Sequence, residues 1–452
     1  MTPVSPDENP PGRSDQPAQT ERKAQPALGG ELWETVFSRD NMLRALQRVE
    51  RNRGAAGVDR MPVTELRGWL RMQWPEVRRG LDEGTYRPAP VRRVTIPKPD
   101  GGERELGVPT VLDRLIQQAI AQTLTPVFDP DFSERSYGFR PGRSAQQAVQ
   151  MARGYVASGL EWVVDVDLER FFDRVQHDAL MARVARKVAD QRLLRLIRRY
   201  VEAGVMVEWV KQASREGTPQ GSPLSPLLAN IMLDDLDREL ERRGHRFVRY
   251  ADDIRVHVKS ERAGQRVLEG MTEFIEKRLK LRVNKAKSSV KHAVKAVVLG
   301  FGFHFGLEGK VGIRVAPKAL ERLRGRLREL TGRNWRVSMS ERIERLNRYI
   351  GGWCSYFAMA ETPTVFEKVD GWLRRRLRQV RWKEWKRPRT RRRNLAALGV
   401  TPLTARKSGG SSKGSWRMSG SPALTHALPN AYWQQLGLLG FSPRWRRRWG
   451  VV

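Results

Sequence analysis

The chain has 452 residues, with 84 Lys and Arg against 50 Asp and Glu, a formal charge of +34 at pH 7. At 39% hydrophobic and 30% charged it can bury a sizeable core, which excludes global disorder. Its one cysteine, Cys354, excludes an internal disulfide framework and a cysteine-built zinc site, and so large a positive excess points to a polyanionic partner, nucleic acid above all.

Residues 1–30 are rich in Pro, Gln, Glu and Asp without an apolar period, so they read as a disordered tail; they also lack the basic-then-apolar order of a secretion signal. From Leu32 a helical period runs through Trp33, Val36, Phe37, Leu43, Leu46 and Val49. The turn-rich stretch 53–59 precedes another helical run from Val63 to Leu81. Arg92–Pro97 and Glu105–Val108 read as strands of a hairpin turning at Lys98-Pro99-Asp100-Gly101-Gly102, and Leu112–Val127 as a helix. Glu161–Asp167 is a further strand. Phe247–Tyr250 and Ile254–Val258 form a hairpin whose turn is Ala251-Asp252-Asp253, and the helices between these strands make the class α+β.

Beyond about residue 316 three helical stripes follow: Leu320, Leu323, Leu327 and Leu330; Ile343, Leu346, Ile350 and Trp353; Val365, Val369, Trp372 and Leu373. Ser338 with Glu341, and Thr364 with Glu367, have capping-box spacing and mark the second and third starts. Residues 374–393 hold twelve Lys or Arg among twenty, interleaved with Trp382 and Trp385. The Gly/Ser/Lys-rich stretch 405–421 reads as a linker before a small apolar tail that closes on Arg444-Trp445-Arg446-Arg447-Arg448-Trp449. The uncharged runs Gly217–Leu233 and Met418–Pro443 are broken by prolines and polar residues, so no membrane span is expected.

The chemistry concentrates at two acidic strand ends. Asp167 closes an apolar strand, and Asp252 and Asp253 sit at a hairpin turn, where Asp is also common for purely local reasons. Carboxylates brought together repel unless a cation neutralises them, and the apolar flanks leave these without an arginine beside them in sequence. Such hard oxygen donors suit Mg²⁺, and two ions roughly 3.5–4 Å apart would stabilise both oxygens of an in-line phosphoryl displacement. This reading requires that folding bring Asp167 to Asp252 and Asp253, and that no guanidinium cap any of the three.

IPKPDGGERELGVPTVLDR (96–114), SYGFRPGRSAQQAV (136–149), VDVDLERFFDRVQHD (164–178), GTPQGSPLSPLLANIMLDDLD (217–237), RYADD (249–253), VNKAKSS (283–289) and LGFGF (299–303) together resemble, in type and order, a group II intron-encoded reverse transcriptase and maturase. The resemblance runs from about residue 32 to the C-terminus. It implies a right-hand polymerase fold of fingers, palm and thumb: an N-terminal extension and the start of the fingers over 31–90, fingers and palm over 91–310, a helical-bundle thumb/maturase domain over 311–400, and a linker with a small basic DNA-binding region over 401–452.

The same resemblance implies that Asp167, Asp252 and Asp253 are the catalytic carboxylates, with the carbonyl of Leu168 as a further metal ligand. Phe172, five residues beyond Asp167, would exclude a ribose 2′-OH by bulk, although neighbouring Phe171 differs from it only in position. Lys98 and Arg104 would grip the triphosphate, a point charge and a bidentate fork, unless they are simply a solvated hairpin. Gln220 would lie against the nucleotide, and Lys287 would protonate pyrophosphate, with Lys285 as a competing amine. Val108, Arg140 and Arg143 would meet the template. In the basic run, Arg374, Arg375, Arg378 and Arg381 would contact phosphates, and Trp382 and Trp385 would either stack on bases or form one side of an apolar helix stripe.

Other clusters carry less. Gly300–Gly306 is a strand or hairpin at the palm–thumb join rather than a dinucleotide fingerprint. Cys354 and Tyr356 are packing residues, the six histidines have no ligand spacing, and no ligand set for an HNH endonuclease is present. The function implied is RNA-directed DNA polymerisation with two Mg²⁺, or Mn²⁺ as a substitute. The implied partners are group II intron RNA, an RNA template with a DNA primer, dNTPs and target DNA, in the cytoplasm; oligomeric state is not legible. Two rival readings are a free-standing bacterial reverse transcriptase (retron, diversity-generating or CRISPR-linked) and a catalytically silent RNA-binding splicing cofactor.

Overall fold

A computed structural model describes residues 31–97, 103–203, 205–207, 210–212 and 221–451. The expected tail over 1–30, Lys98 and its turn, and Gln220 lie outside these residues. The chain opens with α1 (Glu31–Phe37), α2 (Arg39–Asn52) and α3 (Val63–Asp82). The period read from Leu32 is the buried stripe of α1 and α2, although Leu43 stays exposed. β1 (Val91–Pro97) and β2 (Glu103–Val108) form the expected hairpin, in register from Arg92 opposite Val108 to Pro97 opposite Glu103. α4 (Val111–Phe128) begins at Thr110, whose hydroxyl oxygen accepts from the Asp113 amide. α5 (Ala145–Ala157) begins at a full capping box between Ser144 and Gln147.

Next come β3 (Trp162–Val166), α6 (Phe171–Arg174), α7 (His177–Val184), α8 (Gln191–Val201), β4 (Val205–Val207), β5 (Val210–Gln212) and α9 (Ser225–Arg242). β6 (Arg246–Tyr250), β7 (Asp253–Val258), α10 (Glu261–Lys277) and β8 (Ser289–His292) complete the central part. The strands make two sheets. β4 joins β1 in parallel in the order β2-β1-β4-β5, while the central antiparallel sheet has the order β6-β7-β3-β8.

Side-chain alternation splits the central sheet between two cores. Val164, Val166, Phe247, Ile254 and Val256 join the large core with α4, α9 and α10. Val163 and Val248 point the other way and pack with α5 residues Ala148, Val149 and Ala152. α10 lies close on this sheet because residue 264 is glycine; a Cβ there would collide with Val290.

β9 (Val297–Val298), β10 (Phe301–Phe305) and β11 (Val311–Val315) form a small sheet, so the Gly300–Gly306 stretch is a strand as expected. The helices α11 (Pro317–Leu330), α12 (Met339–Phe357) and α13 (Pro363–Glu384) bury the three apolar stripes in one further core. Ser338 caps α12 by accepting from the Glu341 amide. The start expected at Thr364 is corrected: α13 begins at Pro363, whose fixed φ and missing N–H suit the first helical position.

The linker expected over 405–421 is also corrected. α14 (Pro388–Ala397), α15 (Pro402–Gly409), α16 (Ser415–Met418), α17 (Pro422–Ala427), α18 (Asn430–Gln435) and α19 (Phe441–Trp449) follow one another closely. Ala405, Met418, Leu424, Trp433 and Phe441 enter the same core as α11–α13. Composition misled because Gly, Ser and Thr serve here as caps of short helices. α19 is fastened at both ends. The Asp370 carboxylate accepts from the amides of Phe441 and Ser442, each at 2.8 Å, and the indoles of Trp445 and Trp449 donate to the carbonyls of Ala360 and Ala358, each at 2.7 Å. Among the described residues no helix is long and apolar enough to cross a membrane.

Candidate active site

β3 and β7 pair with Asp165 opposite Arg255 and Val166 opposite Ile254. β3 ends at Val166 and β7 begins at Asp253, so Asp167 leaves its strand at the end of the sheet where Asp253 enters, with Asp252 in the adjoining turn. Strand pairing therefore brings the three expected acids to the same end of the sheet. The backbone around Asp167 is fixed from the other side. Its amide donates to Ser288 Oγ at 3.1 Å, and its carbonyl accepts from the Asn284 amide at 2.8 Å. The Glu169 amide donates to the Arg282 carbonyl at 2.8 Å. These two backbone bonds flank Leu168 and turn its own carbonyl to the opposite side of the strand. The loop 284–288, which carries exposed Lys287, therefore lies against the Asp167 backbone.

The turn is held from beneath by a buried network. Arg249 donates to the Asp237 carboxylate at 2.6 and 2.8 Å, and neither side chain is exposed. The same guanidinium donates to Asn230 Oδ1 at 2.8 Å and to the Ala251 carbonyl at 3.1 Å, while Asn230 Nδ2 donates to the Gly138 carbonyl at 2.9 Å. Ala251 has φ of 58°, in the left-handed region that costs an L-residue of order 1–3 kcal/mol, and Gly138 approaches so closely that a Cβ would collide with the Ala251 amide. Burial pushes the Asp237 carboxyl up, against the pull of Arg249. Arg249, Asp237 and Asn230 do not stand out in the sequence. The available signal is alternation: Arg249 shares the inward face of β6 with Phe247, where a cation requires a buried acid.

The expectation that no guanidinium meets the acids is corrected for Asp253, but the contact is partial, since the Asp253 side chain stays 51% exposed. Arg255, two residues on and so on the same face of β7, lies 3.5 Å from Asp253 Oδ2 and 3.5 Å from Asp165 Oδ1. Burial pushes the Asp165 carboxyl up; Arg255 opposes this, while Asp253 and Asp167 add to it. Among the described residues no three His, Cys, Asp or Glu side chains are gathered into a ready cation cage. The residues nonetheless fit a divalent cation of the Mg²⁺ kind. The charges of Asp253 and Asp167 add to the rise at Asp165, the mark of negative charge gathered at this strand end, and such an ion is held by one or two carboxylates plus substrate phosphates rather than by an all-protein cage.

Of the expected nucleotide contacts, Phe172 is half-buried and meets Phe171 edge to face at 5.1 Å, whereas Phe171 is a core residue. Arg104 lies on β2 opposite Ile96, and Val108 ends that strand half-buried opposite Arg92. Just beyond Gln220, the buried Ser222 hydroxyl bonds to Gln117 Oε1 of α4.

Several template residues are corrected. Arg140 is buried; it bonds to Asp129 at 2.7 Å and to the carbonyls of Ser133 and Ser136, so it braces its own loop. Arg143 lies 3.7 Å from Glu134 and over the Tyr137 ring. Trp382 and Trp385 are 1% and 8% exposed in the helical core, so neither offers a face to a base. Arg375 stacks on Trp416, Arg378 donates to the Ser419 carbonyl, and Arg381 bonds to Tyr432 and Glu384, which ties α13 to the C-terminal helices; Arg374 is half-buried. The exposed cations of the run are others: Lys383, Lys386, Arg387, Arg389, Arg392 and Arg393. Cys354 packs as expected, its thiol pushed up to about 12 by burial, and Tyr356 stacks on Phe301 and donates to the Leu299 carbonyl.

The profile of the reverse transcriptase (RNA-dependent DNA polymerase) family matches residues 96–303, and that of the group II intron maturase-specific domain matches residues 320–399. Protein YkfC of Escherichia coli K12 is 33% identical over 274 residues, covering 52% of this chain and 72% of that protein. Group II intron-encoded protein LtrA of Lactococcus lactis subsp. cremoris is 28% identical over 346 residues, which is 62% of this chain and 57% of LtrA. A chain of a partial Cas6-RT-Cas1–Cas2 complex is 28% identical with a TM-score of 0.36, covering 54% of this chain and 42% of that one. One profile spans the strands that carry Asp167, Asp252 and Asp253 and the other spans the helices that follow; the chain belongs to the family of group II intron-encoded reverse transcriptases and maturases.

Proposed function

We propose that this chain extends a primer 3′-OH on an RNA template and binds its parent intron RNA to assist splicing and mobility. The observation that supports the reading is the β3–β7 pairing, which ends β3 just before Asp167 and opens β7 at Asp253, at the same end of the sheet as Asp252. Asp167 and Asp252 hold the divalent cations, Asp253 assists, and the Leu168 carbonyl adds a neutral donor. Two Mg²⁺, or Mn²⁺ in their place, supply when bound the charge that stabilises the attacking and leaving oxygens of the displacement.

In this reading the primer 3′-oxygen bonds to the α-phosphorus of a dNTP, and the bond to pyrophosphate breaks. Lys98 and Arg104 grip the triphosphate, Gln220 lies against the nucleotide, and Phe172 closes the space beneath the sugar against a 2′-OH. Lys287 supplies the proton to departing pyrophosphate, which its place on the loop beside Asp167 supports. The sheets over 91–310 serve as fingers and palm, and the helices from 311 onward as thumb and RNA-binding surface. Target DNA is the partner proposed for the C-terminal helices, and the cytoplasm is the proposed place of action.

The test is primer extension on an RNA template with Mg²⁺, comparing wild type with Asp252→Ala. Extension by the wild type alone supports the reading. Equal incorporation by both refutes the assignment of the carboxylates, and incorporation by neither favours a silent splicing cofactor.

A further inference from the structure

Arg255 is neither a surface cation nor part of the expected catalytic set. Its side chain is 10% exposed, and a guanidinium so far removed from water must find acceptors. It has three, each on a different strand. Nη2 lies 3.5 Å from Asp165 of β3, Nη1 lies 3.5 Å from Asp253 at the start of β7, and Nε donates to the Val297 carbonyl of β9 at 3.1 Å. The pairing of β3 and β7 sets Asp165 opposite Arg255, and alternation along β7 places Asp253 on the same face. β9 in turn pairs with β10, in the sheet that leads into α11. One cation therefore stands between two carboxylates at the site and is tied to the strands that connect the central sheet to the helical half.

We propose that Arg255 is a positioning residue for the polymerase reaction: it draws Asp253 toward Asp165 and so sets the charge and direction of the carboxylates offered to divalent cations. This inference rests on the polymerase reading above. The guanidinium offsets one negative charge next to the cation site, which weakens cation binding but fixes the acid that assists Asp167 and Asp252. Methionine keeps the apolar stem and removes the charge. Lysine keeps the charge but not the fork that reaches two carboxylates and a carbonyl together.

The experiment uses the full chain and two readouts: Mn²⁺ binding to the protein alone by electron paramagnetic resonance, and the Mg²⁺ dependence of primer extension. Arg255→Met is expected to bind Mn²⁺ about tenfold more tightly, since a nearby positive charge is gone, and to extend about tenfold more slowly at saturating Mg²⁺. Arg255→Lys should restore the Mn²⁺ affinity and only part of the rate. Asp165→Asn, which keeps the guanidinium but removes one of its partners, should weaken Mn²⁺ binding and serves if Arg255→Met fails to fold. Mn²⁺ affinity and Mg²⁺ half-saturation unchanged in a folded Arg255→Met overturn the proposal, as does a rate loss that only follows the unfolding midpoint. Absence of extension by the wild type overturns the polymerase reading instead, and the Mn²⁺ titration still decides the role of Arg255.

Discussion

Arg249 and Asp237 form an ion pair at 2.6 Å with neither side chain exposed, and the guanidinium reaches on to the Ala251 carbonyl in the turn that carries Asp252. Breaking a buried pair from one side leaves an uncompensated charge, at a cost of about 3–5 kcal/mol. Asp237→Leu is therefore expected to lower stability by that amount in denaturant unfolding. The double variant Asp237→Leu/Arg249→Met should recover much of the stability. It should not recover primer extension, because the turn still lacks the donor that holds Ala251 left-handed. Full recovery of both would reduce the pair to a packing element.

Asp167→Asn keeps the size of the side chain and removes its charge. Primer extension should fall at least about 10³-fold, equivalent to ~4 kcal/mol of transition-state stabilisation. Its unfolding midpoint and intron-RNA affinity should stay at wild-type values. A parallel loss of RNA binding would show that the site and the RNA surface are not separable.

His257 is 2% exposed, and burial, with Arg255 nearby, holds its imidazole down at about 4. An unfolded chain protonates histidine near its ordinary value of about 6.5, so between these values the unfolded state binds the extra proton. The contribution is thus fully present above about pH 6.5 and lost as pH falls toward 4, to a total of about 3 kcal/mol. Chemical denaturation of His257→Leu across this window should show a shallower decline than the wild type. Identical pH profiles would contradict the assignment.

In the basic run, Lys386, Arg387 and Arg389 are exposed while Arg378 is engaged with Ser419. Replacing the three exposed cations with Gln should lower the salt slope of intron-RNA affinity by about 3, one unit for each phosphate that no longer meets a cation. Trp382→Ala should instead cost about 3–5 kcal/mol of stability, with little change in RNA affinity at a temperature where the variant is folded. A large affinity loss in folded Trp382→Ala would restore the stacking role.

The strands and their acids were legible because their signals are local and periodic. Val163, Val164 and Val166 alternate between two cores, and Asp167 follows where the strand ends. The first two helical stripes were legible for the same reason. The interleaved Trp382 and Trp385 were not, because a basic run says how many cations there are and not which side of the helix faces water. Arg140 and Arg255 escaped for a different reason. Their partners lie on other elements, so composition counted them as positive charge available to nucleic acid when folding had already committed them to Asp129, and to Asp165 and Asp253. The supposed linker shows the same limit, since short helices depend on tertiary packing more than on their own composition.

The seating of α19 makes the helical half a closed structure whose last segment is also its clasp. Asp370 is largely buried and relies on the amides of Phe441 and Ser442, and Trp353 and Phe366 each meet a ring from that segment. Proteolytic shortening ahead of Phe441 would orphan an acid and uncover an aromatic patch in one cut. Damage in this segment should therefore be felt first as loosening of α12 and α13.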